Sequence, residues 1–436
     1  VDSFRETLMA STTDVIEAMK YTYGVDQVLY LLNQEVVTWN LFQKVKKPLG
    51  GRGQFIMPIM VKNPGSWTGL AEGGSLPANL NPDTTEASFS LQEFAGLYNM
   101  SWKLIQDARN SKFAFQTALK MMEEGFRRRI LKMINADFIS DGLGKLAILP
   151  AADDQTTVTV NSLPSVDVGM VVDVMDTNNT SVLGNSLTVT AVDVVNRTVT
   201  LSGAPSGTAA NDYMTIQDTV GSGFTYHTNG LLSIIDDANP PGSSVGNFGN
   251  INRSTAGNEF WKSIVLSNSG TNRALTEDLI MQLEDSVREK GGGSLTSYVS
   301  NLAIVRRYHE LLREDTYFAM SSPKALDGGS GVGRSGGAQQ KGQDGGDGKT
   351  IYRFSGNPWH VDPYFAANTI IGMDKKHFYL GHGEHAVPRP VSEIFDGTSF
   401  FRQTTSTTFE VAWYWQGQLL SDNPAAGAKI EDVAES

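Results

Sequence analysis

Over 436 residues the chain carries 35 Lys and Arg against 47 Asp and Glu, a formal charge of −12, and 40% of its residues are hydrophobic. That apolar content supports roughly two to four packed units and excludes wholesale disorder, while the acidic balance argues against a protein that grips phosphate over its whole surface. Cysteine is absent, which excludes disulfides, thiolate-held metals and Cys nucleophiles.

In chain order, residues 2–22 read as a helix, because Phe4, Leu8, Val15, Ile16 and Met19 recur at helical spacing. The apolar stretch from Val25 to Phe42 follows, and Pro48 with Gly50-Gly51-Arg52-Gly53 ends it. Residues 54–103 read as a long two-stranded hairpin. Gln54 to Val61 is the outgoing strand, with Pro58 marking an edge. The Gly-, Pro- and Asn-rich stretch from Lys62 to Thr85 is a wide tip, and Ala87 to Phe94 alternates as the return. Arms of about fifteen residues would reach on the order of 50 Å. A two-stranded ribbon is marginal alone in water. Phe55, Ile56, Trp67, Phe89, Leu91 and Phe94 are therefore expected to find cover on neighbouring surface, with another chain as its natural source.

Residues 111–142 predict a helix about 45 Å long, with Phe115, Leu119, Met122, Phe126, Ile130, Met133, Ile134 and Phe138 in one apolar stripe. Glu123–Arg127 and Glu124–Arg128 sit at supportive i,i+4 spacing. Residues 153–220 change character: short β-branched runs alternate with turn residues, which predicts a small all-β module. Beyond it, Gly230 to Ile235 reads as strand-like. A helix is expected from Leu275 to Lys290, capped by Thr276 and ended by three glycines. Another runs from Val299 or Leu302 to Glu314. Residues 327–348 are a low-complexity loop of Gly, Ser, Gln and Asp. Strands are expected around Tyr352–Phe354, Trp359–Val361 and Asn368–Met373, and a β section from Phe400 to Gln418 holds Trp413-Tyr414-Trp415.

Few residues ask for chemistry. Gly331 to Gly336 spells G-x-G-x-x-G, but inside a glycine tract without the strand and helix a dinucleotide needs. Gly348-Lys349-Thr350 ends like a phosphate loop, yet residue 343 is Gln343 and a strand follows. His377, His382 and His385 form the one dense histidine group, in strand and turn; a metal-dependent enzyme is one reading and ordinary surface or interface histidines the other. Arg127-Arg128-Arg129 with Lys112, Lys120 and Lys132 makes the long helix locally basic, either as a solvated face or as one turned to nucleic-acid phosphate without sequence preference. No nucleophile and base stand at a recognisable spacing, so neither enzyme activity nor a metal nor a cofactor is expected. No apolar run approaches the ~18–20 residues that a membrane helix needs, so no membrane partner is expected. Val1 to Glu6 lacks the pattern of a secretory leader, and a start residue or longer leader is expected ahead of Val1.

The order of parts resembles the major capsid proteins of tailed bacteriophages, an α+β fold of the Hong Kong 97-like type. The resemblance rests on the helical arm, the projecting hairpin, the single long helix, the central helix pair and the closing β section. The stretch Tyr352 to Val361, with Gly356-Asn357-Pro358 between its strands, is similar to a segment of the family's A-domain. By resemblance, residues 1–50 are an N-terminal arm, 51–104 the E-loop, and 105–150 the spine helix with the first part of the P-domain. Residues 151–222 are then an inserted β domain, 223–384 the A-domain, 385–420 the P-domain β section and 421–436 a return to the A-domain. The resemblance implies a self-assembling icosahedral shell of pentamers and hexamers around double-stranded phage DNA. It implies portal and scaffolding partners and leaves room for a decoration protein. It places the chain in the virion, assembled in the bacterial host cytoplasm. An encapsulin-type compartment shell shares the fold and is the alternative, and an adhesin built on the β module is a reading from another class. Some family members join an E-loop Lys covalently to a neighbour's Asn. Lys62 is the one Lys of the hairpin before its tip, the sequence identifies no Asn or acidic partner for it, and a solvated edge-strand charge is the other reading.

Overall fold

The computed structural model describes residues 37–46, 54–62, 65–70, 72, 74–78, 81–101, 112–161, 163, 165–177, 179–221, 224–240, 247–290, 293–320, 352–391, 401–402 and 408–435. The expected helix over 2–22, the low-complexity loop and both glycine motifs lie outside them.

Helix α1 (Val37–Leu41) and strand β1 (Gln43–Lys46) come first, then the hairpin strands β2 (Gln54–Lys62) and β3 (Asp83–Ser90), strand β4 (Gln92–Ser101) and helix α2 (Lys112–Ile139). The β module holds β5 (Ala147–Ile148), β6 (Thr157–Thr159), β7 (Val171–Met175), β8 (Val182–Asp193), β9 (Thr198–Leu201) and β10 (Tyr213–Ile216). A small pair, β11 (Val220–Gly221) and β12 (Phe224–Thr225), leads to helix α3 (Leu231–Ile234) and β13 (Ile264–Leu266). Helix α4 (Glu277–Glu289), β14 (Ser297–Ser300), helix α5 (Leu302–Met320), β15 (Tyr352–Phe354), β16 (Asn357–Val361) and β17 (Ile370–Met373) follow. The chain closes with β18 (Phe378–His382), β19 (Arg389–Pro390), β20 (Phe401–Arg402), β21 (Thr408–Ser421) and β22 (Gly427–Ile430).

Strand β21 organises the first sheet. Its alternation buries Val411, Trp413 and Trp415 on one face, as a period of two requires. One edge pairs with β4 from Thr408↔Ser101 to Gly417↔Gln92, and the other takes β20, β19 and β18 in turn. β1 adds to β18 in parallel. Helix α2 crosses this sheet, with Phe126 5.0 Å from Tyr98 and Phe138 6.0 Å from Trp415 between ring centres. Gly96 permits that approach, because a Cβ there would stand 2.9 Å from the Phe126 ring.

The β module is a six-stranded sheet in the order β5-β10-β7-β8-β9-β6. Asn161 N–H donates to the Ile148 carbonyl and draws its two edges together. Its core is its own, with Val158, Val172, Val174, Val189, Val199, Leu201 and Met214 buried. The second sheet, β13-β22-β17-β14-β16-β15, carries α4. Thr276 caps α4 by accepting from Leu279 N–H. Leu279, Ile280, Leu283 and Val287 pack on Tyr298, Trp359 and Ile370. At Gly372 a Cβ would lie 2.6 Å from Leu295 of the loop before β14 and 3.3 Å from Leu283 of α4, so loop and helix both close on the sheet there.

Residues 230–235, expected as strand, form the short helix α3 instead. Leu231, Ile234 and Ile235 are all buried, so both sides of the chain face the core and period-two reading has no purchase. In the last turn of the helix the carbonyls of Ser233 and Ile234, and beyond it that of Ala238, accept from the fully buried Arg253, whose Nε also donates to the Trp261 carbonyl. These bonds supply partners for carbonyls that a helix end leaves open.

Candidate assembly hairpin and basic helix

The hairpin register runs from Gln54↔Ser90 to Lys62↔Asp83. Its arms are shorter than expected, at about 30 Å for nine residues of β2. The base is covered by its own chain. Phe55, Ala87 and Phe89 are buried in the main core, Phe89 at 2% exposure, and Leu91 and Phe94 pack against the same cluster. Phe89 meets Phe248 at 5.0 Å, Phe94 meets Trp415 at 5.6 Å, and Ser88 N–H donates to the Gly249 carbonyl at 3.0 Å. Gly249 holds φ +63°, and a Cβ there would press to 2.9 Å from Phe89. The expectation that Phe55, Phe89, Leu91 and Phe94 meet another chain is therefore corrected. The turn at 248–251 covers Ala87 and Phe89, Phe55 packs by Gly381, and Phe94 lies against Trp415, with Leu91 and Phe94 half-buried.

The outer half is different. Met60 and Leu70 are exposed, Leu76 is 83% exposed, and Trp67 stands 99% exposed, while nearer the base only Ile56 is an exposed large apolar residue. Met60, Leu70 and Leu76 were not singled out in the sequence. Met60 was legible there, since Ile56, Pro58, Met60 and Lys62 share one face at period two and all four are exposed. Lys62 Nζ lies 3.3 Å from Asp83 Oδ2 with both side chains exposed, a surface pair of about 0–1 kcal/mol.

Helix α2 presents less positive charge than its sequence suggests. Arg127 is exposed and Arg129 is half-buried. Arg128 pairs with Glu124, as the i,i+4 spacing predicts. Lys132 is corrected: it is buried, with Nζ 2.9 Å from Asp167 Oδ1, because the β module folds over that end of the helix. It faces the module and not solvent phosphate. The side chain of Lys120 lies outside the described residues.

The histidines separate. His377 Nδ1 lies 2.8 Å from Asp422 Oδ1, while His382 is buried with Nδ1 3.0 Å from the Gly383 carbonyl. Burial pushes the His382 imidazole below its ordinary range. Among the described residues no three His, Cys, Asp or Glu side chains converge as a metal site would require, and no helix is long and apolar enough to cross a membrane.

No family model matches the chain, and no curated protein matches it. Among solved structures it is similar to a chain of the cyanophage A-1(L) capsid asymmetric unit, with 11% identity over 94% of this chain and 96% of that one and a TM-score of 0.52. Weaker likenesses are to the capsid of the native GTA particle (13% identity, 96% and 98% covered, TM-score 0.44) and the holo-SrpI encapsulin complex from Synechococcus elongatus PCC 7942 (9%, 97% and 96%, 0.45). At these identities the likeness is one of architecture, and the first carries it: the chain has the α+β, Hong Kong 97-like fold of tailed-phage capsid subunits.

Proposed function

We propose that this chain is a major capsid protein that assembles into an icosahedral shell around double-stranded phage DNA. One observation carries the reading. The outer half of the β2–β3 ribbon and its tip expose Met60, Trp67, Leu70 and Leu76, and nearer the base Ile56 is exposed as well, none covered by the chain's own body. At roughly 25 cal/mol per Å², covering a few hundred Å² of such surface stabilises a contact by several kcal/mol before ordering costs. The fold supports the same reading. In this reading β2 and β3 are the E-loop arms, α2 the spine helix, and residues 151–222 an inserted domain. The subunits form pentamers and hexamers, with portal and scaffolding partners, in the virion. The exposed Arg127 and the half-buried Arg129 supply non-specific contact to packaged DNA.

Negative-stain microscopy of the concentrated full chain tests it, and closed shells are the expected result. Replacing residues 63–82 by a two-residue turn should leave circular dichroism and melting unchanged while abolishing shells, because the retained base carries the buried contacts. Normal shells from that variant would overturn the role of the hairpin. Nuclease-resistant DNA inside particles from the native source is expected; particles holding protein cargo and no DNA would replace the DNA-container reading.

A further inference from the structure

A cavity of about 240 Å³ opens between α2, the first sheet and the β module. Its walls include Phe94, Ile130, Ile134, Trp413 and Trp415, and its lining is mostly apolar. Glu93, Ala95 and Tyr226 are exposed residues of the same lining, and so stand at its rim. One side is polar. Nδ1 of His227 lies 2.8 Å from Oδ1 of Asp137, whose Oδ2 accepts from the backbone and hydroxyl of Thr228. The indole N–H groups of Trp413 and Trp415, at 3% and 2% exposure, have no hydrogen-bond acceptor. These two nitrogens are closed off from solvent, so what the walls offer an occupant is chiefly apolar surface.

The opposite kind of surface sits at the hairpin tip. Trp67 is 99% exposed, flanked by the exposed Leu70 and Leu76. Ser66 donates to the Ala78 carbonyl across the loop and ties its two sides together. Residues 65–70 and 74–78 belong to no strand, so their backbone carbonyls are not committed to a ladder. The tip offers what an apolar cavity takes: a large aromatic ring that its own chain leaves in water. A void of about 150 Å³ accommodates benzene, and the larger cavity here suits a bicyclic ring.

Resting on the capsid reading above, we infer that Trp67 of one copy seats in this cavity of a neighbouring copy, as the anchor of the shell contact. The occupant belongs to another copy for a geometric reason. The cavity rim begins at Glu93, just past the base of the ribbon at Ser90. The paired arms carry the tip about 25–30 Å away from that base. Within one chain the ribbon holds anchor and socket apart, whereas between copies they match head to tail. Such a heterologous contact closes into rings and shells. Tryptophan in a pocket with a polar rim is the usual form of an interface anchor. One Trp covers ~150–250 Å² against ~800 Å² per partner in a stable pair. A single contact is too small to hold a dimer, and repetition around a closed shell supplies the rest.

The absence of cysteine makes the test clean. Thr68→Cys and Ala95→Cys, both at exposed positions, are introduced together in the full chain with Trp67 intact. A short bismaleimide should then yield a ladder of linked chains from assembled particles. Thr68→Cys with Val195→Cys, on the exposed β8–β9 turn, should yield none. In parallel, assembly should shift tryptophan emission to the blue in the unaltered chain, with at least half of that shift lost in Trp67→Phe. Particles without a ladder and with the full shift in Trp67→Phe would overturn the Trp67 socket and leave the shell reading standing. Absence of particles from the unaltered chain would remove the shell reading itself.

Discussion

Lys375 Nζ lies 3.2 Å from Nε2 of His360, a contact that needs an unprotonated imidazole nitrogen as acceptor. Burial first, and the Lys375 charge second, push His360 down to about 4. Burial pushes Lys375 down as well. The unfolded chain takes up this proton near the ordinary His value of 6.5. Between about 6.5 and 4 the unfolded state therefore binds more protons than the folded one, and stability falls as pH falls through that window. His360→Gln should flatten the fall of melting temperature across it. An unchanged slope would assign the acid sensitivity to other groups. The sequence shows His360 between Trp359 and Val361 but cannot show the burial, or the lysine fifteen positions on, that keep it neutral. Phe55 and Phe89 were hidden in the same way. Period two says which face is apolar, and only residues far along the chain, the turn at 248–251 for Phe89 and Gly381 for Phe55, say that the cover is internal.

At the scale of elements, legibility followed locality. Helix α2, the Thr276 cap and the β-branched runs of the module depend on residues within a few positions of one another, and the sequence carries them. The β2–β3 pairing ends near Lys62, where the composition turns to Gly, Pro and Asn, so the paired arm is shorter than a fifteen-residue ribbon. The basic helix face was misread at Lys132, whose partner Asp167 arrives with the β module. That bridge has a measurable consequence. Lys132→Met leaves the Asp167 carboxylate half-hydrated without its cation, and should lower stability by about 1–3 kcal/mol in chemical denaturation. The exposed Arg127, replaced by Ala, should stay within about 0.5 kcal/mol. In particle assays the order should reverse, with Arg127→Ala weakening DNA retention at raised salt and Lys132→Met leaving it unchanged. Weakened retention in Lys132→Met would return that residue to the phosphate-facing set.

Across the whole molecule, the described residues hold three large hydrophobic cores, and besides the one between α4 and the second sheet two of different reach stand apart. One joins the hairpin base, α1, α2, the first sheet and the inner strands of the second sheet, with Trp39, Phe89, Phe138, Val299, Ile371 and Trp415 in a single cluster. The other, within the β module, shares none of its buried members. Asp362 is the polar joint of the larger body. It is fully buried, and its Oδ2 accepts from the Thr38 hydroxyl at 2.6 Å and from Asn135 Nδ2 at 2.9 Å, tying α1 and α2 to the end of β16. Asn135 Oδ1 in turn accepts from Trp39 N–H, so one missing carboxylate would loosen three elements together. Asp362→Ala should cost about 3–5 kcal/mol, and that loss should be confined to the body. The chain labels its own parts for this measurement. No tryptophan falls between residues 147 and 216, so tryptophan fluorescence follows the body while far-ultraviolet circular dichroism follows both. Thermal melts of Asp362→Ala should bring the fluorescence transition to lower temperature and leave a circular-dichroism component of the module at its original midpoint. Equal shifts in both signals would mean that the module has no stability of its own and unfolds with the body as one unit.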